Sequence, residues 1–114
     1  MADRPLPLLR GTLDVLVLKA LSWGPTHGFG IACWLEERSD GVLDVEDGAL
    51  YQALQRMEAR GLIDAEWGVT ENNRRARYYR MTAEGRRYLR AETTSWMRYA
   101  GAVTGILQAA TRTA

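Results

Sequence analysis

The sequence has very few of the residues that disulfides, metal sites and most nucleophilic catalysis require. Its 114 residues include one cysteine, Cys33, and one histidine, His27. A single cysteine excludes a disulfide within the chain and is typical of proteins from a reducing cytoplasm. A zinc site needs several such ligands, so we expect no metal. Glycine-rich phosphate loops and paired catalytic carboxylates are also missing. We therefore expect that the protein is not an enzyme and binds no cofactor.

Long apolar segments are missing as well. The longest such stretch, Leu13 to Leu21, is interrupted by Asp14 and Lys19 and is too short to span a bilayer. The chain also begins without a basic and apolar leader that ends in a cleavage site. We therefore expect a cytoplasmic protein of one domain's size that does not enter a membrane.

Lysine is scarce, since fourteen of the fifteen basic residues are arginine. The net charge of +1 conceals an uneven distribution: residues 1–48 carry four basic and eight acidic side chains, whereas residues 49–114 carry eleven and six. Arginine suits bidentate contacts with phosphates and base edges. The positive part of the chain indicates an anionic partner, although an arginine-rich genome would produce the same composition, and composition alone leaves both readings open.

Hydrophobic periodicity and turn residues predict a mainly α chain with a small β-hairpin. Gly61 is placed to end one helix in the C′ position, and Thr82 is placed to cap another. The predicted elements are, in order, a loose arm at 1–7, helices at 8–22, 29–39 and 46–60, strands at 62–67 and 76–81, and a long helix at 83–110. This is the order of a winged helix-turn-helix, in which the third helix reads the major groove. We expect residues 1–82 to form that DNA-binding domain and residues 83–114 to form a dimerisation helix.

The third predicted helix has one apolar and one polar side. Leu50, Leu54 and Met57 recur at spacings of four and three and mark the buried side. The opposite side carries Gly48, Gln52, Gln55 and Arg56, with Tyr51 at its edge. Glutamine suits adenine and arginine suits guanine, while a glycine lets the backbone approach DNA closely. The tyrosine hydroxyl would either donate to a phosphate or belong to half-buried packing.

The predicted hairpin carries four arginines within seven positions, with no acidic residue between Glu71 and Glu84. Strand alternation places Arg77 on one face and Arg80 on the other. Arg74, Arg75 and Arg77 are the candidates for phosphate contacts. We expect Arg80 to pair with an acid inside the dimer. The alternative interpretation of the cluster is a solvated run of charges.

The last predicted helix has an apolar seam that repeats every seven residues. The seam consists of Leu89, Thr93, Trp96, Ala100, Val103, Leu107 and Ala110. Little of the chain follows it, so the seam is expected to pack against a second subunit instead of folding back on its own domain. Among the other tryptophans, Trp34 and Trp67 are expected in the core, and Trp23 beside a turn fits either environment.

Three motifs in this order resemble the PadR family of bacterial transcriptional regulators, over about Leu8 to Leu89. They are "HGFGI" (27–31), "GALYQALQRMEARGLI" (48–63) and "RRARYYRMTAEGRRYL" (74–89). The resemblance implies a homodimeric repressor whose first and last helices form the dimer interface. It places DNA contacts at Gly48, Tyr51, Gln52, Arg56, Arg74, Arg75 and Arg77. Gln52 stands where the family commonly has proline, so base specificity cannot be copied from relatives.

The single C-terminal helix resembles the short subgroup of that family. In some short members, flat apolar compounds bind between the subunits, and an aromatic residue there can stack on them. Trp96 would play that part, or would simply fill the interface. From a different functional class, the alternative is a winged helix that binds proteins without DNA, in which case reversing the wing charge would leave partner binding intact.

Overall fold

The computed structural model describes residues 6–9 and 11–112 and confirms the predicted order of elements. The helices are α1 (Leu13–Leu21), α2 (Gly28–Arg38), α3 (Asp47–Ala59) and α4 (Ala83–Leu107). The strands are β1 (Leu6–Pro7), β2 (Thr26–His27), β3 (Leu43–Asp44), β4 (Ile63–Val69) and β5 (Arg75–Met81). Together they form a winged helix with a long C-terminal helix, in which α3 occupies the position of the recognition helix and β4 and β5 are the wing.

The wing is part of a three-stranded antiparallel sheet in the order β2-β5-β4. The two long strands pair from Ile63 opposite Met81 to Val69 opposite Arg75. The third strand, β2, pairs with the other edge of β5 and was not predicted. A strand of two residues is too short to show the alternation of apolar and polar side chains that predicts a strand. It is defined only by its pairing with β5.

The first helix begins later than its apolar pattern suggested, at Leu13 and not at residue 8. Gly11 has φ = +87°, a left-handed conformation that does not continue a helix. Before it, Leu6 pairs in parallel with Leu43 of β3, so the end of the predicted loose arm is a short strand. The rest of that arm, residues 1–5, lies outside the described residues. The last helix ends at Leu107, three residues before the predicted end.

The hydrophobic core lies where α1, α2 and α3 meet the base of the wing. Its largest fully buried side chains are Val17, Leu18, Ile31, Leu50, Leu54, Met57 and Ile63. Trp34 packs against this core, as expected. The expectation for Trp67 was wrong, because its side chain is 58% exposed. Trp67 lies on the same face of β4 as Ile63, but the outer half of the hairpin extends beyond the helices that would cover it.

The junction between the wing and α4 is built by a cap and a close approach. The Thr82 hydroxyl accepts a hydrogen bond from the Gly85 amide at 3.0 Å and donates one to the Gly61 carbonyl at 2.7 Å. A Cβ atom on Gly85 would lie 2.1 Å from the Leu62 carbonyl oxygen, so α4 starts in direct contact with the backbone that leads into β4. Although α4 is long, neither it nor another helix of the described residues is apolar enough to cross a membrane.

We therefore expect Gly85→Ala to lower the free energy of unfolding by about 1–3 kcal/mol, because neither the helix nor the Leu62 backbone can move aside without cost. Gly105→Ala is the matched control, since a Cβ there meets nothing within 4 Å. Because Gly105 is exposed within α4, Gly105→Ala should raise the free energy of unfolding by about 0.5–1 kcal/mol. Urea unfolding followed by circular dichroism at one protein concentration measures both. Effects of the same sign would contradict the close-approach argument.

Candidate nucleic-acid interface

The exposed side of α3 follows from the burial of its other side. Leu50 and Met57 are fully enclosed in the core. Gly48, Gln52 and Gln55 therefore point away from it, and all three are exposed. A Cβ on Gly48 would meet nothing within 4 Å, so the start of the helix is open to a close approach. The two glutamine amides lie along the same stripe and are free to reach base edges.

Arg56 lies at the edge of this stripe that faces α1. Its Nη2 donates a hydrogen bond to Oδ1 of Asp14 at 2.7 Å. The carboxylate is largely covered, with 15% of the Asp14 side chain exposed, against 55% for Arg56. These residues are 42 positions apart, and nothing in the sequence pattern predicted their pairing.

The tip of the wing presents its cations to solvent. Arg74 and Arg75 are both exposed. The turn before them is closed by Asn73 in a left-handed conformation (φ = +60°) and by the Arg74 amide, which donates to the Thr70 hydroxyl at 3.2 Å. The Arg75 guanidinium lies 4.4 Å from the centre of the Trp67 indole. This cation–π contact holds Arg75 along the groove side of the hairpin.

Arg77 differs from those two arginines because it faces α3. Its Nη2 donates to Oε2 of Glu58 at 3.0 Å. Burial raises the pKa of the neighbouring Tyr79 hydroxyl above its ordinary value, although the charge of Arg77 opposes the rise. Tyr79 is therefore uncharged near neutral pH, and Glu58 is the anion that Arg77 meets. The ion pair joins the wing to the recognition helix.

Arg80 pairs with an acid of its own hairpin, whereas we expected an acid inside the dimer. Its Nη2 donates to Oδ2 of Asp64 at 3.3 Å, and both side chains are mostly exposed. The strand register places Asp64 directly opposite Arg80. Cross-strand neighbours of opposite charge attract each other, which explains the choice of partner.

A groove of about 940 Å³ separates the wing from α3 and the start of α2. Side chains that line it include His27, Phe29, Tyr51, Gln55, Trp67, Asn72, Arg74, Arg75 and Arg77. Cations and aromatic rings in one groove suit the phosphates and sugars of a nucleic acid. Sequence reasoning placed the arginines, Tyr51 and Gln55 at such a site. It missed Phe29, Trp67 and Asn72. Of these, only Phe29 could have been found from the sequence, because it lies within the "HGFGI" motif.

Two aromatic residues at this groove have defined local roles. His27 caps α2, because its Nδ1 accepts a hydrogen bond from the Gly30 amide at 3.0 Å. With that nitrogen as acceptor, the neutral ring carries its proton on Nε2. Tyr51 packs against the start of α2, where a Cβ on Gly28 would lie 3.0 Å from its hydroxyl. The ring is nevertheless half exposed, so its hydroxyl remains accessible from the groove.

A second, apolar groove of about 760 Å³ lies between α1 and α4. Its lining includes Leu6, Leu9, Val15, Leu16, Trp96 and Tyr99. Trp96 also begins the exposed part of the α4 seam, which continues through Val103 and Leu107. Leu89 differs from these, since it is half-buried against the core of its own chain and leaves only part of its surface for a partner.

The winged helix, its polar recognition stripe and its cationic wing define a class of transcriptional regulators. The Transcriptional regulator PadR-like family matches residues 17–91, and the chain belongs to this family. A PadR family transcriptional regulator from Eggerthella lenta is 32% identical, with a TM-score of 0.70 over 89% of this chain and 86% of that one. A PadR family regulator from Clostridium difficile is 28% identical, with a TM-score of 0.74 over 85% of this chain and 99% of that one.

A more distant structure is that of Bacillus subtilis PadR in complex with operator DNA. It is 18% identical to this chain, with a TM-score of 0.65 over 72% of this chain and 47% of that one. At this identity the likeness concerns the fold alone. The shared fold comprises a winged helix that, in the Bacillus protein, was solved together with DNA.

Proposed function

We propose that this protein is a sequence-specific DNA-binding repressor that acts as a homodimer on a palindromic operator. The observation that carries the proposal is the shared groove, which the recognition helix borders with Gln55 and the wing borders with Arg74 and Arg75. One surface thus combines groups that can read base edges with groups that bind phosphates. The operator complex of Bacillus subtilis PadR, which has the same fold, supports it.

The contacts divide by chemistry. Gln52, Gln55 and Arg56 lie on or beside the exposed stripe of α3 and would read bases in the major groove. Gly48 would allow the close approach, and the hydroxyl of Tyr51 would reach a phosphate. On the wing, Arg74 and Arg75 would supply affinity that depends little on sequence. Arg77 would add its charge from a fixed position, since Glu58 already holds its guanidinium.

The proposed dimer forms through the C-terminal part of the chain, residues 83–114, whose helix is α4, with α1 beside it. Val103 is 38% exposed and Leu107 is 78% exposed in the single chain, which is unfavourable for apolar side chains on one helical seam. Trp96 and Ala100 continue that seam, and Leu89 closes it near the wing. Two-fold symmetry would place two recognition helices about 34–36 Å apart, one turn of DNA.

A small planar apolar effector is the proposed regulator of this dimer. Trp96 and Tyr99 have their ring centres 6.1 Å apart at the apolar groove, which provides an aromatic surface for stacking. The groove lies beside the proposed dimer seam, so a ligand there would contact both the chain and its partner. Binding that changes the relation between the two subunits would change the spacing of their recognition helices.

DNA binding is tested by fluorescence anisotropy with duplex from upstream of the protein's own gene, at several salt concentrations. We expect affinity on the order of a thousandfold higher than for scrambled duplex. Arg74→Ala should weaken both duplexes alike and flatten the salt slope by about one. Arg80→Ala removes the same charge from the Asp64 pair on the other face of the wing and should change the slope much less. Equal slopes for the two variants would contradict the assignment.

Base recognition by Gln52 is tested by selection from a pool of random duplexes. Gln52→Ala should relax the preference at one base pair in each half-site, because only a base-edge contact carries sequence information. An unaltered profile would show that the residue does not read bases. Absence of any DNA binding, with retained capture of a protein partner after wing charge reversal, would favour the protein-interaction alternative.

The dimer is tested by sedimentation equilibrium of Val103→Glu. Each subunit would bring one carboxylate to the seam, and both carboxylates would lose water when the dimer forms. We therefore expect the dissociation constant to rise on the order of a hundredfold or more. Thr94→Glu adds the same charge to an exposed position on the other side of α4 and should leave the dimer intact. Dimers of unchanged strength in Val103→Glu would rule out this seam.

The effector is tested by tryptophan fluorescence with a panel of planar apolar compounds. Quenching should saturate and should disappear in Trp96→Ala, because this indole lines the apolar groove. Trp23→Phe is the control, since Trp23 is exposed and does not line that groove. Quenching that survives Trp96→Ala, or no quenching across the panel, would leave Trp96 as interface packing.

A further inference from the structure

The ion pair between Asp14 and Arg56 joins the first helix to the recognition helix and has no part in the hydrophobic core. We propose that Asp14 is a positioning residue for base recognition, which holds Arg56 so that the free part of its guanidinium faces the major groove. This inference rests on the proposed DNA binding and names a residue that determines its specificity. Asp14 itself touches no base.

Arg56 needs such support because of its place on α3. It follows Gln52 by one helical turn but lies at the edge of the exposed stripe, towards α1. An unsupported arginine loses much of its rotamer freedom when it is fixed by a ligand. The contact with Asp14 fixes the side chain before DNA arrives, so this loss does not fall on the binding step.

The geometry leaves donors available for a base. Asp14 is contacted through Nη2 at 2.7 Å, whereas a guanidinium has five N–H donors in a planar fork. A carboxylate that holds one nitrogen restricts the positions that the whole group can take. The remaining N–H groups can then meet the N7 and O6 acceptors of guanine, the commonest arginine contact in the major groove. At 55% exposure, the Arg56 side chain is open to such a partner.

Asp14 is itself held rigidly. It lies in the first turn of α1, where the helix dipole favours a carboxylate. Val17, Leu18 and Leu21 anchor that helix in the core. The Asp14 side chain is 15% exposed, so its position is set by packing and not by solvent. A support built on a packed helix positions a functional group more narrowly than one on a loop.

Simple electrostatics predicts the opposite effect of Asp14 on DNA binding. A carboxylate near the interface repels phosphates, so its removal should strengthen binding to every duplex. If Asp14 positions Arg56, its removal should weaken binding to the operator and leave binding to scrambled duplex equal or stronger. The two accounts therefore differ in sign for the operator.

The experiment begins with selection of preferred duplexes from a random pool by the full wild-type chain. Asp14→Ala should bind the selected duplex about tenfold more weakly, the effect of one lost base contact, and should lose preference at one base pair in each half-site. Arg56→Ala should lose preference at the same base pair, and the double variant should lose no more. Asp64→Ala, which removes the acid paired with Arg80, is the control and should keep the wild-type profile.

The outcomes separate this inference from the proposed function. Tighter binding of the selected duplex by Asp14→Ala, an unchanged profile, or additive losses in the double variant would overturn the role of Asp14 alone. A wild-type chain that enriches no sequence would overturn DNA recognition itself. Asp14→Asn keeps an acceptor in place and should retain part of the preference, which separates lost positioning from lost folding. NMR relaxation of the Arg56 side chain without DNA should show order in the wild type and mobility in Asp14→Ala.

Discussion

The burial of one side of α3 is the constraint on which the rest of the interface depends. Leu50, Ala53, Leu54 and Met57 are enclosed by the other helices and the base of the wing, so α3 cannot rotate without exposing them. Gly48, Gln52 and Gln55 must then face outward. Ion pairs hold the two edges of the helix, one to Asp14 of α1 and one to Arg77 of the wing. Core burial sets the face that is presented, and the ion pairs set its edges.

The arginines of the wing show how one charge cluster is divided by strand geometry. Successive side chains of β5 point to opposite faces, so Arg77 meets Glu58 on α3 whereas Arg80 meets Asp64 on β4. Arg74 and Arg75 precede the region where the strand packs on the helices and remain exposed. A run of similar residues thus contains groups that join parts of the protein and groups that are open to a partner. Their spacing alone does not tell them apart.

The long helix α4 also has two kinds of surface. Its start packs closely on the wing at Gly85, and Leu89 lies on the core. Beyond Trp96 the seam is exposed through Val103 and Leu107. The first helix, α1, lies between α4 and α3. One of its sides lines the apolar groove, and its Asp14 pairs with Arg56 of α3. In the proposed dimer, α1 would therefore lie between the effector groove and the recognition helix.

Local patterns in the sequence determined the order of the elements, the outward stripe of α3 and the caps at Thr82 and Gly61, because these depend on neighbours within about one helical turn. The three motifs likewise indicated the family that the comparisons confirmed. Only the tertiary structure decided that Trp67 is exposed, that β2 joins the sheet and that Arg56 pairs with Asp14. These features depend on segments distant in sequence, and periodicity within one element carries no information about which of them will meet when the core packs.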